Sequence, residues 1–358
     1  MIALETSSLA GGDVVGGIPG AIRNMVQALL RNDPETRYHL CYRLSRWRKG
    51  NLFRPNAPNA TVGIVQDPLN RLLLRGARVL HCMGIYCPRG PDIPKLITVH
   101  DLNAVRNRQW VSARWHERRS GRIREAVRRA DHVVTYSRYT AEEVQEEYGL
   151  PKDRVHAVPL GVDPDAFRPS PPAVIERMRA RHGQYLLSIG LLTPRKNFPT
   201  LVEAVARLPE SVRLIIVGRP SDGAGAVREA VARHGLSGRF EHLTRVDHSE
   251  LVALLSACSA YVVPSLYEGF GLTVLEAMAC GTPVICSDRA SLPEAAGDAA
   301  LLVDATNFES LAESIRRVLD DPSLGTELRE QGLARAQFQT WERSAHLLRQ
   351  LYTDVAGV

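Results

Sequence analysis

Two carboxylates, Glu268 and Glu276, are held on one short stretch, Pro264-Ser-Leu-Tyr-Glu-Gly-Phe-Gly-Leu-Thr-Val-Leu-Glu-Ala-Met-Ala-Cys-Gly-Thr-Pro283. Glu268 stands just ahead of Gly269, Phe270 and Gly271, where the glycines allow a tight turn and close approach of backbone to a ligand. Glu276 falls inside an apolar run beside Leu275, Ala277 and Met278, where an ionised group without a partner is costly. A sugar or ribose diol would supply two hydroxyl donors; an ion pair with a nearby arginine such as Arg289 would serve equally. The N–H groups of Leu272 and Thr273 open a helix there and favour an anionic guest.

Two cations stand elsewhere at a matching kind of position. Ser188-Ile-Gly-Leu-Leu-Thr-Pro-Arg-Lys-Asn197 reads as a strand end turning at Gly190, with Arg195 and Lys196 just ahead of a helix. An arginine fork, a lysine point charge and helix N–H groups together would hold a diphosphate, although such a pair alone is usually solvated. His100 follows the apolar run Leu96-Ile-Thr-Val and precedes Asp101, which places both at the carboxyl edge of a strand. A lone histidine there is commonly a structural hydrogen-bonder. Gly11-Gly12 and Gly16-Gly17-Ile-Pro-Gly20 form a glycine-rich loop after a very short first strand, Ile2-Ala-Leu. It is not the Gly-x-Gly-x-x-Gly dinucleotide fingerprint.

The elements that must position these groups alternate. Around the glutamates, Ala260-Tyr-Val-Val is a strand, Leu272 to Cys280 a helix capped by Gly281, and Val284-Ile-Cys-Ser the next strand. Tyr185 to Ile189, Arg213 to Val217 and Phe240 to Leu243 read as further strands, with helices at 199–208, 226–234 and 249–256 between them. That succession implies a parallel doubly wound sheet. The densest proline run, 155–172, reads as the domain boundary. Its Asp163-Pro-Asp165 is an Asp-x-Asp spacing, but within a linker it reads as a turn, and no catalytic metal is expected.

The motif Glu-Gly-Phe-Gly-Leu-x-x-Leu-Glu-Ala-Met-Ala-x-Gly-x-Pro-Val, starting at Glu268, resembles the signature of the retaining GT-B glycosyltransferases of family four. The resemblance implies an α/β GT-B fold, two doubly wound Rossmann-like domains facing across a cleft. It divides the chain into residues 1–165 with the closing helix 342–358, and 166–341. It implies transfer of a hexosyl unit from a nucleotide diphosphate sugar to a hydroxyl of a glycan or lipid-linked acceptor, with mannosyl as a candidate. It implies that Arg195 and Lys196 clamp the diphosphate, that Glu276 holds the ribose diol, and that Glu268 and His100 contact the donor sugar as the catalytic pair. Gly17, Gly190, Val246 and the backbone of Gly269 to Thr273 complete the donor site, Val246 at the base pocket. No cofactor or metal is implied. The short first strand departs from the family and suggests a mis-assigned start or a pared-down edge. A nucleotide-sugar 2-epimerase of the same architecture and a catalytically silent scaffold are the alternatives; the full signature and the joint presence of the five polar residues weigh against them.

At 358 residues the chain is long enough for two domains, and 44% hydrophobic with 23% charged residues describes a globular protein. No apolar run approaches the ~20 residues of a membrane span, and no secretory signal is read at the N-terminus. Six cysteines without a Cys-x-x-Cys pair point to buried thiols in a reducing cytoplasm. The net charge of +6 is uneven: residues 106–129 hold nine arginines and two acids, with Trp110 and Trp115 among them. A solvated helical face and a peripheral surface for anionic membrane are the readings; nucleic acid is not, since no recognition motif accompanies the charge.

Overall fold

Among the described residues thirteen short strands, most of them with an apolar centre, assemble into two all-parallel sheets, the arrangement expected of strands buried on both faces. The computed structural model describes residues 1–10, 17–48 and 50–357. The glycines at 11, 12 and 16 lie outside that range. The chain divides into two units, residues 1–160 with 341–358, and 161–340.

In the first unit the strands are β1 (Ile2–Glu5), β2 (Tyr38–Arg43), β3 (Ala60–Val65), β4 (Val79–Cys82), β5 (Lys95–Thr98), β6 (His132–Thr135) and β7 (Val155–Ala157). Their order is β3-β2-β1-β4-β5-β6-β7. The expectation of a pared-down edge is therefore overturned. β1 is central, with Ile2 in register with Tyr38 on one side and Val79 on the other. Burial on both faces explains how four residues suffice: Ile2, Ala3 and Leu4 are wholly inaccessible. The last helix, Trp341–Ala356, packs along the Gly17–Asn32 helix. Arg349 Nε lies 2.6 Å from Asp33 Oδ2, and Tyr352 Oη lies 2.6 Å from the buried His81 Nδ1.

The second unit contains β8 (Gln184–Ile189), β9 (Val212–Val217), β10 (Phe240–Leu243), β11 (Ala260–Val263), β12 (Val284–Ser287) and β13 (Leu301–Val303), in the order β10-β9-β8-β11-β12-β13. The chain winds outward from β8 to β10 and then starts again beside β8 with β11. The β8/β11 junction is thus the point where strand order reverses, where open α/β sheets seat their ligands at the carboxyl ends. The second unit begins at Gly161, within the 155–172 stretch, where Val162 N–H donates to the Gln339 carbonyl and Val162 bridges to Thr340. Asp163 acts as a turn residue, its Oδ1 accepting from the N–H groups of Asp165 and Ala166 at 2.9 and 3.3 Å.

Candidate active site

The loops that leave β8 and β11 converge at that junction. β8 ends at Ile189, Gly190 N–H donates to the Val217 carbonyl, and a 3-10 turn at Pro194–Lys196 leads into the Phe198–Val205 helix. Asn197 makes the joint in the left-handed region (φ 53°), its side-chain amide donating to the Ala305 carbonyl at 2.7 Å. Gly190 has no substitute here: a Cβ on it would stand 2.6 Å from Lys196 Cε. On the other side, β11 runs through Pro264 into the Glu268 loop, and Gly271 (φ 103°) turns it into the Leu272–Ala279 helix. A Cβ on Gly271 would stand 2.9 Å from Leu292 Cδ2.

The two loops are joined by charge. Arg195 Nη1 donates to Glu268 Oε2 at 2.7 Å and to the Tyr267 carbonyl at 2.8 Å. Lys196 Nζ lies 2.7 Å from Glu268 Oε1. The Arg195 carbonyl in turn accepts from Leu266 N–H at 2.8 Å. Burial alone would raise the Glu268 carboxyl, but the Arg195 and Lys196 charges and their hydrogen bonds prevail and hold it down to about 2. Burial pulls the Lys196 ammonium below its ordinary value, since the attraction of one carboxylate is offset in part by Arg195. The lysine shares its anion with a second cation, whereas the carboxylate has two cations to itself.

Glu276 differs in kind. It sits one turn into the helix, partly buried, and its carboxylate has no ion-pair or hydrogen-bond partner among the described residues. Arg289, the alternative partner, pairs instead with Asp304 at 3.6 Å. Desolvation with nothing to offset it raises the Glu276 carboxyl to about 7. A carboxylate without a protein partner beside helix N–H groups is chemically suited to a ligand bearing hydroxyls.

Of the other sequence-derived residues, Gly269, Gly271, Leu272 and Thr273 stand on this loop and first helical turn, where backbone N–H groups lack intrahelical acceptors. Phe270 is buried, so its contribution there is through backbone. Val246 lies half-buried on the loop after β10, at the same edge of the sheet; Asp247 beside it caps the His248–Ala257 helix by accepting from Glu250 N–H at 2.8 Å. Gly17 and His100 belong to the first unit. Gly17 opens the Gly17–Asn32 helix, exposed.

His100 follows β5 by two residues and is buried, its ring 5.2 Å from that of Tyr136 and its Nδ1 without a hydrogen-bond partner among the described residues. Burial, reinforced by the Arg119 charge and opposed by a backbone hydrogen bond at Met83, pulls its pKa down to about 3, so the ring is neutral at physiological pH. Asp101 is structural: its Oδ1 accepts from Asn103 N–H at 3.0 Å. Ser137 caps the Arg138–Tyr148 helix through Thr140 N–H.

Sequence reasoning missed Ser291, whose fully buried hydroxyl donates to the Glu268 carbonyl at 2.7 Å. Its signal was misleading, because Ser291-Leu-Pro-Glu294 reads as a capping box, yet the side chain caps nothing in its own helix.

Residues 177–335 match the model of the family described as glycosyl transferases group 1, and residues 20–166 match glycosyltransferase family 4. The chain is 33% identical over 227 residues to the O-antigen chain mannosyltransferase B of Escherichia coli, covering 62% of this chain and 60% of that protein. It is 31% identical over 280 residues to the D-inositol 3-phosphate glycosyltransferase of Corynebacterium glutamicum (strain R), covering 73% and 67%. It spans somewhat under two thirds of the first relative's length and about two thirds of the second's. The fold superposes on sucrose-phosphate synthase of Thermosynechococcus elongatus with a TM-score of 0.79 at 25% identity, covering 99% of this chain and 98% of that one.

Proposed function

This chain belongs to the glycosyl transferases group 1 family, of GT-B fold, and from that membership we propose that it moves a hexosyl unit from a nucleoside diphosphate sugar to a hydroxyl of a glycan or lipid-linked acceptor, with retention of anomeric configuration and without a catalytic metal. A mannosyl unit is the hexose favoured by the likeness to a protein named as a mannosyltransferase. The observation that supports the reading most is the pairing of an anion clamp, Arg195 and Lys196, with a partnerless Glu276 at the β8/β11 junction.

The chemical demand is to stabilise a departing diphosphate while an oxocarbenium-like centre forms. Arg195 and Lys196 neutralise the phosphate charge, together with the first-turn N–H groups of Leu272 and Thr273. Glu276 accepts from the ribose diol, and Glu268 from hydroxyls of the donor sugar. The departing phosphate takes the acceptor's proton on the same face, so that Glu268 is not the nucleophile.

An anionic membrane is the proposed setting for a lipid-linked acceptor, on the cytoplasmic side. No helix among the described residues is long and apolar enough to cross a membrane. What supports peripheral contact is the Ala113–Arg129 helix, where Arg114, Arg118, Arg122, Arg124 and Arg128 are exposed beside Trp115, itself 49% exposed.

The reaction is tested with water as acceptor: GDP-mannose or UDP-glucose is incubated with the protein in EDTA and the anomeric proton followed by NMR. Release of the α sugar before mutarotation is expected. Release of the β sugar would contradict retention, and a C2 epimer in the donor pool would identify an epimerase instead.

A further inference from the structure

The charges of the clamp are already satisfied by one another. One carboxylate, Glu268, engages both Arg195 and Lys196 at 2.7 Å, one oxygen to each. Lys196 and Glu268 are 7% and 9% exposed, so water does little to screen them. Two cations and one anion leave a single net positive charge. A phosphate oxygen that reaches these donors either takes the place of the carboxylate or settles beside it against like-charge repulsion. Both outcomes count against the anion.

Separated from its cations, Glu268 would be a buried carboxylate needing hydrogen-bond donors. A sugar nucleotide brings them, since its hexose hydroxyls can donate to the carboxylate as its phosphates take the cations. A bare nucleoside diphosphate brings none. Ser291 anchors the Glu268 main chain through its carbonyl, so the exchange is confined to the side chain.

We propose that Glu268 discriminates between the sugar nucleotide and the nucleoside diphosphate left after transfer, by competing with phosphate for Arg195 and Lys196 until sugar hydroxyls relieve the competition. Loss of the sugar restores the competition and expels the product. This role rests on the donor-site reading above and adds to Glu268 a function in product release and ligand selection.

The test is calorimetric titration of the wild type and Glu268→Gln with GDP, UDP, GDP-mannose and UDP-glucose. Glu268→Gln is expected to bind the cognate diphosphate about tenfold tighter, while the sugar nucleotide gains less or weakens, so that the preference for the sugar nucleotide collapses. Glu268→Asp, too short to span both cations, keeps the question open to measurement should the glutamine variant fail to fold, and an intermediate tightening is expected of it. Diphosphate affinity in the folded variants equal to or weaker than wild type would overturn the proposal. A wild type that binds none of the four ligands would instead overturn the donor-site reading on which it rests.

Discussion

A methyl group on Gly190 would stand 2.6 Å from Lys196 Cε and 3.0 Å from its Nζ. The glycine is therefore the wall against which the lysine is folded toward Glu268. Gly190→Ala forces the flexible end of Lys196 to move and strains a backbone held at φ 155°. The expected result is a loss of about tenfold in diphosphate affinity, on the order of one charge-assisted hydrogen bond, together with a lowered melting temperature from the strained backbone. Titration with GDP and UDP beside a melting curve checks it. Unchanged affinity would show that Lys196 does not touch phosphate.

Glu276 gives a prediction of opposite sign for stability and function. Its folded carboxyl is raised from 4.5 to about 7, so the folded state favours the proton. The cost of ionisation sets in as pH rises above the unfolded value and is complete above the folded one. Glu276→Gln should thus stabilise the ligand-free protein at pH 8 by about 1–2 kcal/mol, allowing for partial solvent access, with no gain at pH 4. The same variant should lose nucleotide affinity, since a carboxylate that accepts from the ribose diol is gone. Melting curves at the two pH values, with and without nucleotide, read both effects.

The arginine face of the Ala113–Arg129 helix is testable apart from catalysis. Arg114, Arg118 and Arg122 recur one turn apart and are exposed. If they face anionic lipid at about 1 kcal/mol each, replacing all three with Gln should reduce binding to phosphatidylserine-containing vesicles by roughly a hundredfold. Nucleotide affinity should not change. Equal sedimentation of wild type and variant with anionic vesicles would leave the face as solvated surface.

Much of the site was readable before the fold, because its signals are local. The apolar Ala260–Val263 run, the glycines at 269 and 271 and the stop at Gly281 set strand, turn and helix between residues 260 and 281. The two sheets were likewise implied by alternating strands and helices, and the two-sheet GT-B architecture is what the structure shows. Strand order was not readable, as the central place of β1 shows: four residues at the start of a chain look like an edge until β2 and β4 are seen on either side. Nor was the fate of the charges. Nothing in the sequence says that Arg289 turns to Asp304, or that Arg195 and Lys196 close on a carboxylate more than seventy positions away. Those are long-range pairings made by topology, which a sequence motif names only as separate pieces.

The β8/β11 junction is proposed to bind a nucleoside diphosphate sugar without metal. The most direct measurement is a thermal-shift panel of guanosine, uridine and adenosine diphosphates and their sugars in EDTA. A ligand at about a hundred times its dissociation constant adds roughly 2.7 kcal/mol, a clear rise in melting temperature. A shift is expected for one base, with its sugar nucleotide shifting more than its diphosphate at equal concentration. No shift with any of them, or a shift that appears only when a divalent metal is added, would contradict it.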